Sequence, residues 1–103
     1  RNRTHPAVIL LVEDDPDDQR LTQRAFGAGR LRNRLYIVGD GEEAMDYLYR
    51  RNRFHSADDA PRPDLILLDL NLPRLNGRQV LERLKTDAEL STIPIVVLTT
   101  SSQ

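Results

Sequence analysis

Leu65-Ile66-Leu67-Leu68-Asp69-Leu70-Asn71-Leu72-Pro73 is the stretch that decides the fold. Four apolar residues in a row, without alternation and too few for a helix, read as a strand buried on both faces. That strand delivers one carboxylate, Asp69, to its carboxyl end, where open α/β sheets place ligands and reactive groups. Upstream, Val8-Ile9-Leu10-Leu11-Val12 has the same character and ends in Glu13-Asp14-Asp15. Were the two strands neighbours, their acidic ends would converge.

Two further apolar runs, residues 35–38 and 95–98, complete a set of four buried strands. Helical patterns lie between them. Asp15 is placed to cap a first helix with Pro16 at its first position and Asp17 and Asp18 in its first turn, which suits the helix dipole. Leu21 and Ala25 then share a face, and Gly27 and Gly29 end the helix. Asp40-Gly41-Glu42-Glu43 resembles a capping box for a second helix that presents Ala44 with Leu48 and Met45 with Tyr49. A third follows Asn76-Gly77 and packs through Val80, Leu81 and Leu84. All three stripes read as ordinary core. Strands alternating with helices imply right-handed βαβ units and a parallel sheet. Glu13, Asp14, Asp69, Asn71 and Thr99 then share one edge. The arginines at 30, 32 and 34 and at 50, 51 and 53 fall in the connections at the other, so the domain is expected to be acidic above and basic below. Residues 50–64, with Pro61 and Pro63 and no apolar period, read as a long exposed loop.

The 103 residues, 39% hydrophobic and 30% charged, have room for one domain. No cysteine is present, so thiol catalysis, disulfides and thiolate metal sites are excluded and a reducing cytoplasm fits. The lead from Arg1 to Pro6 precedes only five strongly apolar residues, too few for a signal peptide core or a membrane span. A net charge of −1 draws the chain to neither nucleic acid nor membrane.

Several carboxylates held together repel one another, which makes sense chiefly around a divalent cation. Oxygen ligands favour a hard ion. Mg²⁺ uses one or two carboxylates with water and a phosphate oxygen, whereas Ca²⁺ needs more protein oxygens and a dedicated loop that is absent, so Mg²⁺ or Mn²⁺ is expected. His5 and His55 lie in the lead and the long loop and read as surface histidines. A carboxylate beside such an ion can attack phosphorus and form an acyl phosphate. Thr99 is placed to donate its hydroxyl to a phosphoryl oxygen, and the Asn71 main chain to supply a carbonyl to the metal.

Taken together, these residues resemble the receiver domain of bacterial two-component response regulators. The resemblance runs from Val8 to Ser102 and rests on Leu11-Val12-Glu13-Asp14-Asp15, Leu68-Asp69-Leu70-Asn71-Leu72-Pro73, Gly77 and Leu98-Thr99-Thr100. It implies a flavodoxin-like, doubly wound parallel sheet, with Asp69 as phosphoacceptor for a histidine kinase. It also implies that Asp14 and Asp69 bind Mg²⁺ directly, Glu13 through water and Asn71 through its main-chain carbonyl. Thr99 would be the switch hydroxyl, Thr100 would shape access to the site, and Leu72-Pro73 and Gly77 would shape the loop after the acceptor. The long connection before the third strand and the ending Val97-Leu98-Thr99-Thr100-Ser101 are similar to single-domain receivers that serve phytochrome-type kinases. Such a protein is a cytoplasmic phosphorelay switch that catalyses only its own phosphorylation and dephosphorylation.

Receivers continue through a fourth helix, a fifth strand ending in lysine and a fifth helix, with sheet order 2-1-3-4-5. This sequence stops at Gln103, and its only lysine, Lys85, lies late in the third helix. The expectation is a receiver without those three elements: part of a longer one, a shortened one that associates or exchanges segments through an exposed sheet edge, or, least favoured, a stable monomer of this length. Two other readings stand beside phosphotransfer: a degenerate receiver acting as a binding scaffold, and an aspartyl phosphohydrolase of the haloacid-dehalogenase type. The latter needs an aspartate two residues after the nucleophile, where Asn71 stands. No helix-turn-helix pattern supports DNA binding.

Overall fold

The computed structural model describes residues 6–29 and 32–98. Within them the chain runs β1 (Ala7–Val12), α1 (Pro16–Gly27), β2 (Asn33–Val38), α2 (Gly41–Tyr49), β3 (Leu65–Asp69), α3 (Gly77–Thr86) and β4 (Ile95–Leu98), with short 3₁₀ turns at Asn52–Phe54 and Leu90–Thr92. The four strands form one parallel sheet in the order β2-β1-β3-β4. Every strand runs the same way because a helix crosses over between successive strands.

Strand parity divides the core. Leu10 and Val12 of β1, with Ile66 and Leu68 of β3, turn to the face covered by α2 and α3, where Ala44, Met45, Leu48, Val80 and Leu84 meet them. Ile9, Leu11 and Leu67 turn to the opposite face, against Phe26 of α1. The sheet is therefore wound on both faces, as the unbroken apolar runs require. Each fully buried leucine contributes about 1.5–3 kcal/mol.

The caps form where predicted, with two adjustments. Asp15 accepts from the Asp17 amide at 2.8 Å and Asp40 from the Glu43 amide at 2.7 Å. Glu43, however, accepts from Gly39 at 2.6 Å rather than from Asp40, so the box at α2 closes one residue early. The complete reciprocal box is at α3, between Asn76 and Gln79.

Four sequence expectations are corrected. Leu21 and Ala25 are not core: α1 buries no residue, and Leu21 is 61% exposed. The face of α1 turned inward carries Asp18, Thr22 and Phe26, one residue out of step with the Leu21 stripe. Tyr49 is 44% exposed, and Tyr47 is buried instead, with its hydroxyl donating to the Pro61 carbonyl at 2.7 Å. Residues 50–64 are largely exposed as a loop, but they fold back along α2 and are anchored by Phe54 and Ala60, which insert into the core. The Tyr47 and Phe54 rings lie 5.3 Å apart, and the guanidiniums of Arg50 and Arg62 donate to the carbonyls of Ala60 and Leu48. That folding carries Arg51 to Asp46 and Arg53 to Glu43, so these arginines neutralise acids on α2 instead of making the lower edge basic. Arg32 and Arg34 do lie at the lower edge, at the start of β2, while Arg30 falls outside the described residues.

Candidate active site

Two strand ends build the site. Val12 pairs with Leu68 across β1 and β3, so the next residue on each strand, Glu13 and Asp69, stand side by side with the same parity. Both side chains are 1% exposed. Asp14, one residue on, is exposed at the rim, and carboxylate oxygens of Glu13, Asp14 and Asp69 all lie within 4.8 Å of one another. Among the described residues they form the one such acidic group.

Each buried acid is held by the amide two residues further on. The Asp15 N–H donates to Glu13 Oε2 and the Asn71 N–H to Asp69 Oδ1, both at 3.0 Å. Gln19, on the first turn of α1, donates from Nε2 to the Glu13 carbonyl at 2.6 Å and so ties that loop to the helix. Burial pushes the Glu13 carboxyl up to about 7, and the facing Asp69 charge adds to it, against a lowering by the Asp15 amide. Asp18 is also raised, by partial desolvation and by the charges of Asp15 and Asp69.

The loop after Asp69 is pinned by close approach. Gly77 donates to the Leu70 carbonyl at 3.2 Å, and a Cβ on Gly77 would fall 2.4 Å from the Asp69 carbonyl oxygen. On the other flank, Leu75 packs so tightly on Gly41, at the start of α2, that a Cβ there would lie 1.7 Å from the Leu75 oxygen. Between these contacts Arg74 takes a left-handed backbone, φ 63°, and its guanidinium reaches Asp40 at 3.4 Å and Glu42 at 2.9 Å. Sequence reasoning missed Gln19, Gly41 and Arg74; the one local signal was a glycine directly after the cap Asp40.

Of the residues expected here, Glu13, Asp14 and Asp69 come together and Asn71 joins them through its amide. Leu98 ends β4 in register with Asp69, while Thr99 and Thr100 lie outside the described residues. Lys85 is on the last turn of α3, and His55 sets Nδ1 against the Asn52 carbonyl at 3.1 Å, neither in the acidic group. His5 also lies outside the described residues.

The sequence profile of the response regulator receiver domain matches residues 9–103. The chain belongs to that family. This receiver is 47% identical over 96 residues to the response regulator Rcp1 of Synechocystis sp., an alignment that takes in 93% of the chain. It spans 63% of the length of that relative. The crystal structure of the Mn²⁺-bound form of Rcp1 superposes with a TM-score of 0.86 at 46% identity, covering 95% of the receiver and 68% of that chain. The phosphorylated cyanobacterial phytochrome response regulator RcpA does so with a TM-score of 0.86 at 45% identity, covering 96% and 69%. The receiver's sheet order and crossovers agree with the flavodoxin-like arrangement. Among the described residues no helix is long and apolar enough to cross a membrane.

Proposed function

We propose that this receiver is a phosphorelay acceptor that takes a phosphoryl group from a phosphohistidine of a histidine kinase onto Asp69. The observation that carries the reading is the convergence of Glu13, Asp14 and Asp69 within 4.8 Å around a buried carboxylate held by the Asn71 amide. Three hard oxygen donors, two of them buried, suit Mg²⁺ or Mn²⁺, and the raised Glu13 reflects the cost of burying its charge, with the Asp69 charge beside it adding to that cost. Asp14 and Asp69 would hold the ion directly, Glu13 through water and Asn71 through its main-chain carbonyl. The ion, when bound, offsets the repulsion between an anionic nucleophile and an anionic phosphoryl group.

In the transfer an Asp69 oxygen attacks phosphorus, an O–P bond forms, the P–N bond to the donor imidazole breaks and the imidazole leaves with the electron pair. The Asn71 N–H fixes the orientation of the Asp69 carboxylate before attack, which is catalysis by positioning. Gln19 and the Asp15 amide keep Glu13 beside it. Thr99 is assigned the switch hydroxyl and Thr100 the control of access on their sequence positions alone. A phytochrome-type kinase is the favoured donor, supported by the likeness to RcpA, a cyanobacterial phytochrome response regulator. On this reading the protein is a signalling switch, with no turnover of a separate substrate.

Intact mass after incubation with Mg²⁺ and acetyl phosphate tests this, run beside Asp69→Asn. The parent should gain one phosphoryl group and the variant none. A folded parent that gains nothing, or a variant that gains as much, would overturn the assignment.

A further inference from the structure

The loop of residues 70–76 touches the acceptor at both ends and a different helix in its middle. At one end the Asn71 amide donates to Asp69 Oδ1, and at the other Gly77 closes on the Asp69 backbone. In between, Arg74 leaves the loop and pairs with Oδ2 of Asp40 and with Glu42. The other oxygen of the same Asp40 carboxylate, Oδ1, caps α2 by accepting from the Glu43 amide. One carboxylate thus faces the loop on one side and holds the first turn of α2 on the other.

We propose that Arg74 is a positioning residue, a strap that couples the charge and hydrogen bonding of Asp69 to the first turn of α2 and makes that turn an output surface. The signalling use of the strap rests on the acceptor reading above; the coupling does not. Only Leu72 and Pro73 separate Asn71 from Arg74, and planar peptides leave little slack over that span. A non-glycine residue stays in the left-handed region only while its surroundings hold it there. Here the holding contacts include two exposed ion pairs, which are weak and easily exchanged for water. Strain opposed by weak contacts makes a two-state element rather than a stiff one. When Asp69 stops accepting from Asn71, the loop relaxes, Arg74 withdraws from Asp40 and Glu42, and the cap on Glu43 loosens.

An internal control is built in. Arg53 pairs with Glu43, whose other oxygen accepts from Gly39, and no residue of the 70–76 loop belongs to that chain of contacts. Arg53 steadies the same turn through the Glu43 carboxylate rather than through Asp40.

Amide hydrogen exchange at Glu43 and Ala44, read in the full chain, tests the strap through a double-mutant cycle of Asp69→Ala and Arg74→Gln. Each single variant should speed exchange by about fivefold or more, the lower range of site-to-site coupling. The double variant should be no faster than Arg74→Gln alone. Arg74→Lys, which keeps the charge, should preserve the response to Asp69→Ala, and Arg53→Gln should speed exchange while leaving that response intact. Exchange unmoved by Asp69→Ala, or effects that multiply in the double variant, would overturn the strap. The acetyl phosphate mass measurement on the parent separates the two proposals. A non-multiplicative cycle with no phosphoryl gain would remove the acceptor reading and keep the strap; phosphoryl gain with a multiplicative cycle would do the reverse.

Discussion

Replacing Glu13 by glutamine reads the electrostatic cost of the acidic site. Glu13 is almost completely buried beside Asp69, and its carboxyl is pushed from the ordinary 4.5 up to about 7. In the unfolded chain it ionises near the ordinary value. Well below pH 4.5 both states keep the proton and pH has no leverage through this group. Between 4.5 and 7 the folded protein alone keeps it, so the folded state binds more protons and stability falls as pH rises. Above about 7 both states are ionised and the whole penalty is present, at most about 3–4 kcal/mol from ~1.4 kcal/mol per tenfold. Glutamine has nothing to ionise. In urea unfolding without divalent cation, the stability of Glu13→Gln minus that of the parent should grow from pH 4.5 to 7 and then level off. Mg²⁺ competes with the same proton, so it should stabilise the parent more at pH 8 than at pH 5.5. A difference curve flat between pH 5 and 8 would refute the reasoning, because it would mean that Glu13 titrates alike in both states.

Gly77→Ala inserts a Cβ 2.4 Å from the Asp69 carbonyl, an overpacking that should cost about 1–3 kcal/mol and lower the urea midpoint; an unchanged midpoint would show that the loop yields freely. Tyr47→Phe keeps the ring contact with Phe54 and removes the bond to the Pro61 carbonyl, for a loss of about 1 kcal/mol and faster amide exchange in residues 50–64. No change in either would mean that burial of Phe54 and Ala60, with the Arg50 and Arg62 bonds, holds that segment without the Tyr47 hydroxyl.

The readable parts of this protein were those fixed by short-range rules. An apolar strand has no freedom about where its last residue goes: parity set Glu13 and Asp69 on one side, and parallel pairing set them at one height. A strand end is therefore a position that local sequence specifies well. The misread parts depended on packing partners distant in the chain. Leu21 looked like core because it shares a helical stripe with Ala25, yet which stripe faces the sheet was decided by Phe26 seating against Ile9 and Leu11. Residues 50–64 lacked a period because apart from one short 3₁₀ turn they are neither helix nor strand, and they are anchored all the same because Phe54 and Ala60 close on the core around Tyr47.

The Arg74 contacts belong to a third kind. Asp40 reads as a helix cap, with Glu42 in the first turn that follows it, and nothing local marks Arg74 as the partner of either. Their pairing arises because β1 brings its neighbours β2 and β3 together in one register, setting the loop that leaves one against the helix that follows the other. The glycine at 41 is the trace of that approach, since any side chain there would collide with Leu75. The same parallel geometry that gathers the acids at one edge also gathers the loops that follow them. A change at the acceptor accordingly has a neighbour to act on, the first turn of α2, through the Arg74 contacts to Asp40 and Glu42.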